Sequence, residues 1–133
     1  MSDSVPYLSK EQRIALQDLP FSVLLPTGLP GPWSLAGFEI DDSEEGVSFS
    51  LDLTAGTKML SFLTTNEGIG DPVPGVRTSV HVHPDWGSLT IEHEEDGSCL
   101  SDWLEFDGAW SAVTGRDLGD SELDLIVPLL QEF

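Results

Sequence analysis

The residues from Asp102 to Leu130 constrain the fold of this chain more than any other stretch. Trp103-Leu104-Glu105-Phe106 and Ala109-Trp110-Ser111-Ala112-Val113 flank Asp107-Gly108, a pair that accepts the positive φ of a type I′ turn. That turn pairs Phe106 with Ala109 and Glu105 with Trp110. Trp103 and Trp110 then lie diagonally on one face, with Leu104, Phe106 and Val113 on the other. Beyond Gly115, Leu123, Ile126, Val127 and Leu130 follow at i, i+3, i+4 and i+7, which predicts an amphipathic helix opening near Gly119-Asp120. Pro128 falls inside this stripe; it removes the bond to the Asp124 carbonyl, so the helix should kink or end there. A hairpin alone is marginal in water, so the stripe must cover a larger sheet, and the expected fold class is α+β.

The remaining chain supplies that sheet. Val47, Phe49, Leu51 and Leu53 alternate with Ser48, Ser50, Asp52 and Thr54, the pattern of a half-buried strand. Ala55-Gly56 turns it into a strand over Lys58 to Thr64. Trp33 to Ile40 reads as the strand before it, with Gly37 as a bulge. The acidic run Asp41 to Gly46 is a solvated hairpin tip, since its spacing is not that of a calcium loop. Phe21 to Leu25 reads as a short first strand, and Thr78 to His83 pairs with Ser88 to Glu94. Asn66 to Gly75 is a long connection whose glycines lack the lysine and following helix of a phosphate loop. Ser9-Lys10-Glu11-Gln12 matches a capping box and predicts a short helix from Lys10 to Asp18, stopped by Pro20. The expected architecture is a curved, meander-like antiparallel sheet of about seven or eight strands with a C-terminal amphipathic helix and a short N-terminal helix. It spans a single domain, 1–133, with residues 1–8 flexible.

Charge narrows the function. Five Lys plus Arg stand against 24 Asp plus Glu, a formal net charge of −19. Phosphate backbones and anionic membranes are repelled by such a surface, so no nucleic acid is expected; the charge is read first as solubility in a salty cytoplasm, with a basic protein partner as the sharper alternative. Cys99 is alone, so no intrachain disulfide forms. The sequence shows no secretion signal and no apolar run approaching the roughly 20 residues of a membrane helix. A cytoplasmic location is the expectation.

No serine lies in a Gly-x-Ser-x-Gly elbow, Cys99 has no flanking motif, and carboxylates are too numerous for any pair to be informative. The chain is read as a non-enzyme without catalytic residues or cofactors. His81, His83 and His93 suggest zinc. With Pro84 to Gly87 as a four-residue loop, however, Val82 pairs with Leu89 and Val80 with Ile91, and His93 falls on the face opposite His81 and His83. Three imidazoles do not converge in that register, so no metal site is predicted and the histidines are read as solvated. Trp103, Trp110 and Trp86 are the candidate ligand or partner surface, with Trp110 the more core-like of the hairpin pair.

Trp103-Leu104-Glu105-x-Asp107-Gly108-x-Trp110-x-x-Val113-x-Gly115, followed by Leu118-x-x-x-Glu122-Leu123-x-x-Ile126, resembles the end of a bacterial domain family of unknown function. That family occurs in the extracytoplasmic part of anti-sigma factors and in sporulation lipoproteins. Leu19-Pro20-Phe21-x-Val23-x-x-Pro26-x-Gly28-Leu29-Pro30 is similar to its start. The resemblance implies a curved antiparallel sheet like those of the lipoprotein carrier LolA and the regulator RseB, which hold lipid or protein on the sheet and are not enzymes. This chain departs from the family pattern at Gly119, where a Ser or Thr cap is usual, and at Pro128. The function these features suggest is a small acidic binding or regulatory module, with a protein partner or lipophilic small molecule on the sheet face. The alternative is a toxin-immunity-like inhibitor that caps a basic protein.

Overall fold

The computed structural model describes residues 7–27, 33–67, 75–85, 87–106 and 108–132. Helix α1, Lys10–Gln17, opens on the predicted capping box: Gln12 N–H donates to Ser9 Oγ at 3.1 Å and Ser9 N–H to Gln12 Oε1 at 2.9 Å. Strand β1 covers Leu24–Pro26. Three long strands follow, β2 Ser34–Ser43, β3 Gly46–Ala55 and β4 Lys58–Thr65. The acidic tip is shorter than expected, because Asp41 and Asp42 stay in the ladder opposite Ser48 and Val47. The register slips between Leu35 and Gly37, the bulge anticipated at Gly37. Then come β5 Arg77–His83, β6 Gly87–His93, β7 Ser98–Ser101, β8 Leu104–Phe106 and β9 Ala109–Arg116.

Among the described residues, eight strands form one open antiparallel sheet in the order β2-β3-β4-β9-β7-β6-β5, with β8 also on β9. The α+β architecture and antiparallel sheet therefore stand as expected. The final hairpin has the predicted register, Phe106 to Ala109 and Glu105 to Trp110, and Gly108 has φ 77°. Strand β7 has no counterpart in the sequence reading. It shares one edge of β9 with β8, and between them Ser101 Oγ accepts the Val113 N–H at 2.8 Å, keeping a backbone donor satisfied where the ladder breaks.

Helix α2 spans Asp120–Ile126, and a 3₁₀ turn, Val127–Leu129, carries Pro128. Leu130 does not extend the helical stripe. It opens strand β10, Leu130–Glu132, which pairs with β1 as a separate two-stranded sheet. Proline ends the α-helix as its chemistry requires, yet Leu123, Ile126, Val127 and Leu130 are all buried. The first strand is also displaced from Phe21–Leu25: Phe21 and Val23 are core residues outside any strand.

One sheet face forms the core. Phe49, Leu51, Leu53, Leu60, Phe62, Ile91 and Val113 project from it against Leu16, Leu24, Leu25, Leu123 and Leu130. Both helices and the β1–β10 pair thus lie on this inner face.

Candidate functional site

The edge hairpin β5–β6 does not have the predicted register. Gly87 adopts φ 90° and joins the ladder opposite His83 rather than staying in the loop, so Val82 pairs with Ser88 and His81 with Leu89. A glycine reaches that conformation without the steric cost a Cβ would impose. The change in register reverses the relative parity of the two strands. Ser79, His81 and His83 of β5 now share the inner face with Leu89, Ile91 and His93 of β6. The histidines are not solvated: His81, His83 and His93 are 2%, 2% and 8% exposed.

Helix α2 lies over this end of the sheet and brings two carboxylates to it. Asp124 Oδ1 is 2.6 Å from His81 Nδ1, and Asp120 Oδ1 is 3.7 Å from His93 Nε2. Between the rings sits Ser79, its Oγ 2.7 Å from His81 Nε2 and 2.6 Å from His93 Nε2. One set of protons satisfies every contact: His81 Nδ1–H donates to Asp124, Ser79 O–H donates to His81 Nε2, and His93 Nε2–H donates to Ser79 Oγ. Arg77 grips Asp120 with two bonds, 2.8 Å to Oδ2 and 3.0 Å to Oδ1. This pairing holds the Asp120 carboxyl below its ordinary range, while burial, then the Arg77 charge, lowers the pKa of His93. His83 belongs to the fold instead: its Nε2–H donates to the Leu130 carbonyl at 2.7 Å and its Nδ1 accepts the Asp85 N–H at 3.0 Å.

Ser79, His81 and Asp124 follow the order of a nucleophile, base and orienting acid. The His93 imidazole adds a second ring nitrogen, 2.6 Å from Ser79 Oγ, that such a triad does not contain. His81, His93 and Asp120 instead offer donor atoms that lie within 4.8 Å of one another, a set able to hold a metal ion. Beside His93 and Arg77 a cavity of about 450 Å³ opens to the surface, also lined by Val76, Asp117 and Leu118.

The second feature is the outer face of the sheet. Trp110 pairs with Thr65 and Glu105 on the side opposite the core, and Trp103 immediately precedes β8. Both indoles are half-buried, so Trp110 is not the core residue its sequence context suggested. Val80 and Val82, 59% and 70% exposed, belong to the same face, as does Leu100. Trp86 lies outside the described residues. The sequence reading found the tryptophans but missed Ser79, Asp120 and Asp124; the signal for the cluster was Gly87, a residue able to close the hairpin one position earlier. Compared with known protein families, curated proteins and solved structures, the chain matches none.

Proposed function

We propose that this protein is a non-enzymatic binding module that holds a protein partner on the outer face of its sheet. The observation that carries the reading is the position of Trp110, part-exposed on the sheet face opposite the core, with Trp103, also part-exposed, just ahead of the neighbouring strand. Tryptophan is enriched where interfaces are strongest, because one side chain provides a large apolar area and a polar N–H. Glu105 beside Trp110, and Glu39, Asp41 and Asp52 farther along the same face, give the surface an acidic rim. A partner with a basic rim around apolar groups fits this pattern. The resemblance to extracytoplasmic sheet domains points the same way. The net charge of −19 also favours a narrower second reading, an immunity-like inhibitor that caps a basic protein.

The test pairs stability with capture. Trp103→Ala and Trp110→Ala should each lower the melting temperature by only a few degrees and abolish capture of a basic partner; added salt should slow its association with the wild type. A buried aromatic would instead cost about 3–5 kcal/mol on truncation. A loss of that size, or undiminished capture by both variants, defeats the reading.

A further inference from the structure

We propose that His81 Nε2, His93 Nε2 and Asp120 Oδ1 form a site for a divalent transition metal ion, zinc being the best match to two imidazoles and one carboxylate. One donor pair is near the spacing such an ion needs, and the set has to close by at most about 1.4 Å to reach it. Zinc bonds of about 2.0–2.1 Å at tetrahedral angles place neighbouring donors roughly 3.3–3.4 Å apart. His93 Nε2 and Asp120 Oδ1 are 3.7 Å apart, and the whole donor set lies within 4.8 Å. Calcium and magnesium prefer all-oxygen shells, which this site does not offer.

The surroundings are those of a prepared site. Asp124 takes the Nδ1–H of His81 at 2.6 Å, which fixes the ring and turns the Nε2 lone pair inward, the carboxylate–histidine–metal arrangement. Arg77 holds both oxygens of Asp120, 2.8 Å to Oδ2 and 3.0 Å to Oδ1, which fixes the carboxylate beside His93; Oδ1, 3.7 Å from His93 Nε2, keeps a second lone pair for the ion. Two carboxylates stand against the one guanidinium, leaving the locality anionic. Ser79 Oγ lies between both imidazole nitrogens. On binding, His93 keeps its ring proton on Nδ1 in place of Nε2, both Nε2 lone pairs turn to the ion, Ser79 gives up its place between them, and water from the adjoining cavity is the fourth donor. Because the two histidines come from the β5–β6 edge and Asp120 from the first turn of α2, the ion would clamp the helix to the hairpin.

The experiment uses the full chain, freed of metal by a chelator, with zinc followed by calorimetry and cobalt(II) by visible absorption. The expected result is one saturable site with the intense visible bands of tetrahedral cobalt, and a melting temperature that rises with zinc, since an ion that binds the native state stabilises it. His93→Gln and Asp120→Asn should each weaken binding about tenfold or more and Asp124→Asn about 10- to 100-fold, with altered cobalt bands, whereas Glu44→Gln in the exposed turn between β2 and β3 should leave it unchanged. Asp120 is half-exposed, so its variant folds and keeps the test decisive if a histidine variant does not. Weak multi-site binding without those bands, or binding indifferent to Asp120→Asn and Asp124→Asn, overturns the proposal.

Discussion

Thr64 and Ser111 face each other across β4 and β9 amid apolar neighbours, their hydroxyl oxygens 2.9 Å apart and both residues almost fully buried. Each hydroxyl satisfies the other, so the pair is tolerable where one alone is not. Thr64→Val should cost about 1–3 kcal/mol by stranding the Ser111 hydroxyl, and adding Ser111→Ala should restore much of that loss. Denaturant melts of the two single variants and the double decide it; purely additive losses would show that the hydroxyls do not depend on each other. At this scale the sequence was informative where residue type implies position. Phe49, Leu51 and Leu53 went to the core as their alternation required. It was silent about Ser79, whose role depends on which imidazoles flank it, and about Asp120 and Asp124, two among 24 acids.

Elements were legible wherever local chemistry decided them. The capping box opened α1, Pro128 closed α2, and Gly108 turned the last hairpin. Register in β5–β6 was not, since a single glycine's choice between loop and ladder moves every side chain of one strand to the other face. Strand β7 escaped notice because four residues, Ser98–Ser101, are too few for alternation to register. The turn leading into β7 also supplies an element-level prediction. Asp96 Oδ1 accepts from Ser98 N–H at 2.9 Å and from Ser98 Oγ–H at 2.6 Å, and these bonds hold its pKa below the ordinary 3.8. A carboxylate whose pKa is lowered by folding contributes stability that is present above its unfolded pKa and is lost as pH falls through the folded one. Asp96→Asn should therefore destabilise the β6–β7 hairpin at neutral pH, and the difference from wild type should shrink as pH drops below about 4. Amide exchange of Ser98 and Cys99 measures it; a difference independent of pH would refute the carboxylate's part.

Over the whole molecule, an excess of 19 negative charges acts on every element at once. Ion pairs offset part of it; among the described residues, Lys58–Glu122 and Arg77–Asp120 both tie α2 to the sheet. Self-repulsion of this size should make the fold salt-stabilised: moving from low ionic strength to about 0.15 M, where the Debye length is about 8 Å, should raise the melting temperature. A melting temperature that fell with sodium chloride would mean that the attractive pairs outweigh the repulsion.

The place of β9 in the sheet also bears on how the chain is made. As the polypeptide emerges, β2 to β4 can form one meander and β5 to β7 another, each with a raw edge that nothing yet covers. The strand that joins β4 to β7 is Ala109–Arg116, which leaves the ribosome only after both. Until then each nascent chain displays open backbone donors and acceptors, the template on which neighbouring polypeptides aggregate. Heavy acidity then guards the period of synthesis as well as the finished fold, because growing chains on one polysome repel one another while their edges wait for the strand that seals them.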